Sequence, residues 1–256
     1  MLLKRLQLFI SIVTDTAYIV LYQGHKVKIL IVKAPRKPPA EFIYDPPTDP
    51  LEVLRVDDDV LVLVKPSGLL TVPGRRAEHA DSLETRAQSE FPDARIVHRL
   101  DEPTSGVIVM AMNADAHRNI GLQFEQRKTK KTYIARVWGN VEGDSGRIDL
   151  PLRCDWPNRP LQMVDHDQGR NAQTDWEVLE REKADITRLA LYPITGRSHQ
   201  LRVHMMEMGY PILGDEFYAH DEALAAEGRL QLHAHKLMIH HPKDGTQTWF
   251  ESACPF

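Results

Sequence analysis

Six of the seventeen residues from Ala34 to Pro50 are proline, at positions 35, 38, 39, 46, 47 and 50. Each fixes φ and removes a backbone donor, so neither a helix nor an inner strand can run through this stretch, and extended polyproline backbone is favoured. Residues 34–50 therefore read as a linker between an N-terminal extension, residues 1–33, and a main domain, residues 51–256. Roughly 200 residues suffice for a core of their own. The extension is apolar, with Lys4 and Arg5 in front, but Asp15 interrupts Leu6–Tyr22. A central carboxylate costs a spanning helix about 2.5–3.5 kcal/mol, and no small-residue cleavage site follows, so neither a membrane span nor a secretory leader is expected. Its Ile, Val, Tyr and Thr content predicts either short strands (Leu6–Val13, Ala17–Tyr22, Lys26–Lys33) broken at Thr14-Asp15-Thr16 and Gln23-Gly24, or a poorly ordered extension.

In the main domain, Glu52–Val56 and Val60–Lys65 are apolar runs flanking the turn Asp57-Asp58-Asp59, the pattern of a hairpin. Further strand patterns follow at Gly106–Met112, Thr132–Gly139, Gly146–Leu150, Gln173–Leu179, Ile186–Tyr192, Lys236–His240 and Thr246–Phe250. Helical periodicity is confined to Asp81–Glu90, Ala114–Arg127, His199–Met208 and Asp221–Ala226. Strands dominate without regular alternation with helices, which predicts an α+β fold with a mixed, mostly antiparallel sheet and flanking helices. No internal repeat is visible.

Cys154 and Cys254 stand a hundred residues apart, without C-x-x-C spacing, which points to a reduced, cytoplasmic protein. Net charge is −4, yet the first forty residues carry seven Lys or Arg against Asp15, leaving the rest acidic. Against that background, residues 117–136 concentrate Arg118, Arg127, Lys128, Lys130, Lys131 and Arg136 against Glu125. Such a stretch is either a solvated face or a phosphate-binding patch. Gly143-Asp144-Ser145-Gly146 spells a protease-like tetrapeptide, but between two strand patterns it is turn chemistry. His233 and His235 share a strand face without a carboxylate or cysteine at ligand spacing, and His199 and His204 are five apart, so no metal site is expected. Neither G-x-x-x-x-G-K-[ST] nor G-x-G-x-x-G occurs, and nucleotide-phosphate cradles are not indicated.

Ile96-Val97-His98-Arg99-Leu100-Asp101-Glu102-Pro103-Thr104-Ser105-Gly106 is different, because it places His, Arg and Asp in a loop that ends at Pro103 and Gly106 and runs into an apolar strand able to hold it. From His98 to Gly106 it resembles the H-R-L-D-x-x-T-S-G signature of the RluA-type pseudouridine synthases. Further segments match the family in order. Lys65-Pro66-Ser67-Gly68-Leu69-Leu70 with Pro73-Gly74 is similar to its first motif and Lys131-Thr132-Tyr133-Ile134-Ala135 to its tyrosine motif. Gly196-Arg197-Ser198-His199-Gln200-Leu201-Arg202-Val203-His204 is similar to its arginine motif, followed by Tyr210–Asp215 and Leu232-His233-Ala234. Within the family, Cys154-Asp155-Trp156-Pro157-Asn158-Arg159-Pro160 and Pro193–Ser198 look most like members that modify both 23S ribosomal RNA and the tRNA anticodon stem-loop. Residues 1–50 do not resemble the S4 RNA-binding domain that many relatives carry.

The resemblance implies the pseudouridine synthase fold and a cofactor-free, metal-free isomerase acting on 23S rRNA and tRNA, with no membrane partner and as a monomer. It assigns the essential carboxylate to Asp101, a charge-pairing partner to Arg202, and stacking and proton transfer to Tyr133. His98 and Arg99 are implied in base flipping, with Arg75, Arg76, Arg127, Lys128, Lys130 and Lys131 on phosphates. Leu100, Thr104, Ser105, Gly106, Arg197, His199 and Leu201 are implied as support around them. Three alternatives remain: a non-catalytic RNA-binding module, a synthase for ribosomal RNA only, and a metal-dependent hydrolase built on the histidines. Adjacent Asp101 and Glu102 cannot flank a bond as a glycosidase's two carboxyls do.

Overall fold

Strands dominate the computed structural model, which describes residues 8–13, 16–23, 26–33, 43–182 and 185–256. The chain divides into two compact units, Met1–Glu41 and Phe42–Phe256. In the first, β1 (Leu8–Val13), β2 (Thr16–Gln23) and β3 (Lys26–Lys33) form an antiparallel meander, with Leu8 opposite Leu21 and Thr16 opposite Lys33. The expected turn residues Thr14, Asp15 and Gly24, and residues 34–42 of the expected linker, lie outside the described residues.

The remaining part of that linker is not a free tether. Tyr44 donates its hydroxyl to the Asp81 carbonyl (2.8 Å) and accepts the Leu70 N–H (3.1 Å). The second unit accordingly begins at Phe42, ahead of the boundary expected at residue 51. Proline content reports which backbone cannot join a ladder, and it says nothing about whether an extended segment packs on a surface.

The second unit holds β4 (Glu52–Val56), β5 (Val60–Lys65), α1 (Leu83–Glu90), β6 (Arg95–Ile96), β7 (Ser105–Ala111), α2 (Ala114–Glu125), β8 (Lys130–Trp138) and β9 (Ser145–Asp149). There follow β10 (Leu152–Cys154), β11 (Gln162–Val164), β12 (Gln173–Glu182), β13 (Ile186–Pro193), α3 (Gln200–Glu207), α4 (Asp221–Ala225), β14 (Leu232–His240) and β15 (Gln247–Glu251). Ten strands make one sheet in the order β4-β5-β7-β14-β8-β13-β12-β9, with β15 on β14 and β6 on β7. Every pair is antiparallel except β7 with β14, so the α+β, mostly antiparallel expectation holds. The short hairpin β10–β11 was not expected, because three-residue strands of mixed polarity carry no period to read.

β7 is buried along its whole length because both faces are covered. Val107 and Val109 pack with Val60, Val62, Ala116, Ile120, Leu237 and Ile239, while Ile108 and Met110 pack with Leu61, Leu63, Leu83 and Ala87. The alternation of period two thus feeds two cores, each such side chain contributing about 1.5–3 kcal/mol. Ser82 caps α1 through a reciprocal bond pattern with Thr85, and Asn113 caps α2 by accepting the Ala116 N–H. The Gly143–Gly146 tetrapeptide is a turn into β9, with Arg181 bonded to the Gly143 carbonyl and to Asp144. Among the described residues no helix is long and apolar enough to cross a membrane.

Candidate active site

The loop before β7 is fixed by the stretch that follows β5. Lys65 is fully buried, and its ammonium donates to the carbonyls of Pro66 (2.8 Å), Leu69 (2.6 Å) and Glu102 (2.8 Å). Burial pushes Lys65 down to about 7, against the opposing pull of the Glu102 and Asp101 charges. Ser67 donates to the Pro103 carbonyl (2.7 Å), and the Gly68 N–H to that of Glu102 (3.1 Å). Thr71 both donates to the Leu100 carbonyl (2.7 Å) and accepts its N–H (3.3 Å). Four residues of one segment therefore clamp the backbone on both sides of Asp101. At the far end, Gly106 has φ +120° and a Cβ there would run into the Ala234 carbonyl, so only glycine allows β7 to meet β14.

The other wall is α3 and the turn before it. Gln200 is buried and accepts from Thr195 Oγ1 (2.6 Å) and the Arg197 N–H (3.0 Å), while donating to the Gln173 carbonyl (2.9 Å) and Thr174 (3.0 Å). His199 takes the left-handed conformation at φ 52°, shares a 2.6 Å hydrogen bond with Tyr218 Oη, and stacks on Phe217. Arg202, on the first turn of α3, is buried beneath Phe217 and Tyr218, its guanidinium 5.0 and 5.2 Å from their ring centres.

Two carboxylates meet that guanidinium. Asp215 is fully buried and takes Arg202 Nε (2.8 Å) and Nη2 (2.7 Å), together with the Phe217 and Tyr218 N–H groups (2.9 and 3.2 Å). Asp101 keeps 30% of its side chain exposed and lies 3.6 Å from Arg202 Nη1, an ion pair without a hydrogen bond. Arg202 thus forms an ion pair with Asp101 through its remaining edge, while its two-pronged bond belongs to Asp215. Burial opposes the charge on Arg202, but Asp215 chiefly, and Asp101 after it, raise its pKa above the ordinary arginine value.

Asp101, Arg202, His199 and Gln200 line one cavity of about 490 Å³ with Tyr133, Arg99, Leu100, Thr104, Arg127, Lys131, Arg197 and Leu201, and Asp215 lies behind Arg202, outside the lining. Removal from water, and the Asp101 charge after it, push the Tyr133 hydroxyl far above the usual phenol range, so it is present as a phenol. Ser105 sits outside the cavity lining, sharing a 2.9 Å hydrogen bond with His233 Nδ1. His98 reaches the cavity but is anchored: its Nε2 accepts the Val109 N–H (3.0 Å) and its ring stacks on Phe124 at 4.5 Å. Burial, then Lys131, pushes it down to about 3, leaving a neutral acceptor that secures the loop instead of a side chain free to enter RNA. Arg99 beside it is exposed.

The basic residues separate in the same way. Lys131 is turned inward, donating to the Thr195 carbonyl (3.1 Å), and burial, then Arg127, pushes it down to about 8. Arg127, Lys128 and Lys130 are exposed, whereas Arg136 is spent on Glu182 and Glu227. Arg75 and Arg76 are exposed on a loop that does not contribute to the cavity lining. His233 and His235 both bond the Ser252 carbonyl. Asp57, Asp59 and His241 do approach one another, but Asp57 already accepts from Asp59, Val60, Arg55 and His241.

The family model for RNA pseudouridylate synthase matches residues 59–207, which include both walls of this cavity. A Yersinia pestis protein named dual-specificity RNA pseudouridine synthase RluA is 57% identical over 204 residues, covering 80% of this chain and 99% of that one. This chain belongs to the RNA pseudouridylate synthase family. An Escherichia coli K12 synthase of the same name is 53% identical over 214 residues, 83% of this chain and 98% of that one. Among solved structures, human RNA Pseudouridylate Synthase Domain Containing 1 superposes with a TM-score of 0.68 at 28% identity, over 80% of this chain and 84% of that one. For this synthase family member, sequence reasoning missed Thr71, Gln200, Asp215 and Tyr218 as site builders. Asp215 stood inside a matched segment, but nothing local distinguishes a buried carboxylate from a surface one.

Proposed function

We propose that this chain isomerises specific uridines to pseudouridine in structured RNA, with 23S ribosomal RNA and the tRNA anticodon stem-loop as its substrates, as a cytoplasmic monomer. The observation that carries the reading is Asp101: a partly open carboxylate on a clamped loop, 3.6 Å from a guanidinium that cannot lose its charge. In the reaction the C1′–N1 bond breaks, the uracil turns, C1′ joins C5, N1 gains a proton and the C5 hydrogen leaves. An ionised Asp101 can attack C1′, attack C6, or remove a sugar proton, and each route uses an oxygen that Arg202 does not hydrogen-bond. Tyr133, as a phenol, can stack on the base and relay the departing C5 proton by giving one and taking one. A base must leave its stack to enter, and we assign the exposed Arg99 to the space it vacates.

The dual-specificity name of the relatives supports two substrates. Transcripts of the two RNAs, labelled with tritium at uridine C5 and incubated separately with the protein, are expected to release tritium in both cases. Release from ribosomal RNA alone makes the enzyme a single-substrate synthase, and release from neither makes the chain a binding module. Affinity is expected to fall steeply with salt, and Lys128→Gln to flatten that slope without changing which uridine is modified. A salt-independent affinity contradicts the phosphate-binding assignment of Arg75, Arg76, Arg127, Lys128 and Lys130.

A further inference from the structure

The tip of the hairpin β10–β11 presents an indole to solvent. Trp156 is 64% exposed, and the Arg159 guanidinium lies over its ring at 4.5 Å. Large apolar surface is ordinarily withdrawn from water, and a lone exposed tryptophan can be incidental. Three observations argue that this one is not. First, the tip is rigid: the Asp155 N–H donates to Leu161 (2.9 Å), the Leu161 N–H to Asn158 (3.0 Å), and the Asn158 side chain to Asp155 (2.9 Å). Leu161 itself is buried against Leu152, Val203 and Tyr218. Second, Arg159 has no carboxylate partner among the described residues, although its neighbour Arg153 pairs with Asp165. Third, the hairpin is joined to the cavity wall by one hydroxyl, since Tyr218 accepts the Gln162 N–H (2.9 Å) and bonds His199 (2.6 Å).

A preorganised indole with an unpaired guanidinium is the combination that stacks an unpaired base and meets its phosphate. We infer that Trp156 and Arg159 form a stacking platform for an unpaired base of the substrate RNA that flanks the uridine entering the cavity. The inference rests on the proposed activity and adds a contact outside the cavity. An exposed aromatic on a fixed tip loses little freedom on binding, so the platform adds affinity and register while leaving the chemistry to Asp101.

The test uses the full chain carrying Trp156→Ala, Trp156→Phe or Arg159→Ala, each checked by its melting temperature, with the C5-tritiated anticodon stem-loop as substrate. For Trp156→Ala, KM is expected to rise about tenfold while kcat changes less than about twofold, and Trp156→Phe is expected to recover most of the loss. Arg159→Ala is expected to raise KM as well and to reduce the salt dependence of binding. Unchanged KM in Trp156→Ala overturns the platform, and the exposed indole is then free for a protein partner instead. If wild-type protein releases no tritium, the proposed activity fails separately, and the platform is decided by the dissociation constant of the same RNA. About tenfold weaker binding by Trp156→Ala supports it, and equal binding overturns it.

Discussion

Asp101 and Asp215 share one guanidinium and are built in opposite ways. Asp215 is closed off: no exposure, two charge-assisted bonds from Arg202, and two backbone donors besides. Asp101 is left open, with its backbone clamped through neighbouring residues by Lys65, Ser67, Gly68 and Thr71 and its carboxylate held only at ion-pair distance. A fully buried carboxylate that accepts four hydrogen bonds is a poor nucleophile or base, because its charge is shared among those donors and it has no surface open to a substrate. The contrast teaches a division of labour: Asp215 fixes the position and charge of Arg202, and Arg202 then offers Asp101 a cation without consuming its oxygens.

The largest expected stability effect breaks the closed side. Asp215→Ala leaves Arg202 charged and buried without its main partner, a loss of about 3–5 kcal/mol by urea unfolding. A loss below about 1 kcal/mol contradicts the structural role, because that is the range of an exposed pair. Next, Tyr133→Phe keeps the ring and removes the proton relay, so turnover is expected to fall about a hundredfold or more while RNA binding persists. Normal turnover removes the hydroxyl from the mechanism. On the open side, Lys65→Met leaves the Pro66 and Leu69 carbonyls without a donor and the Glu102 carbonyl with the Gly68 N–H alone, and is expected to cost about 1–3 kcal/mol and to lower kcat through a loosened loop. Wild-type stability and kcat in that variant would show that the clamp is dispensable.

The last expected effect is a slope, gentle per pH unit and accumulating only in acid. Unfolded, His98 takes up its proton near 6.5, but in the folded loop only near 3, and His233 likewise only near 4. Between those values the unfolded state binds more protons, so stability is complete above about pH 6.5 and declines as pH falls, by at most about 1.4 kcal/mol per pH unit for each histidine. His98→Gln keeps an acceptor and cannot titrate, so its stability is expected to decline less steeply with acid. An unchanged acid limb in that variant contradicts the neutral, anchored His98.

How much of this was legible in the sequence divides along the same line. Strands such as Val60–Lys65 were readable because each is an apolar run bounded by turn residues, here Asp57-Asp58-Asp59, and the loop before β7 was readable from Asp101 and Gly106 standing together. Long-range satisfaction was not. Thr71 meets Leu100, Gln200 meets Gln173, and Asp215 meets Arg202 only after the chain has folded, and no local period marks a polar residue as buried. The same reason explains why Lys131 and His98, basic and near the motif, read as RNA contacts although the fold turns both inward. Residues 43–50 looked like a tether because Tyr44's two hydrogen bonds are equally invisible in sequence.

The most direct test places Asp101→Asn and Asp215→Asn side by side, measuring tritium release from the C5-labelled stem-loop and unfolding by urea in each. The division of labour predicts that Asp101→Asn releases no tritium above background and unfolds like wild type, whereas Asp215→Asn is destabilised. Tritium release by Asp101→Asn at a rate near that of wild type would contradict it.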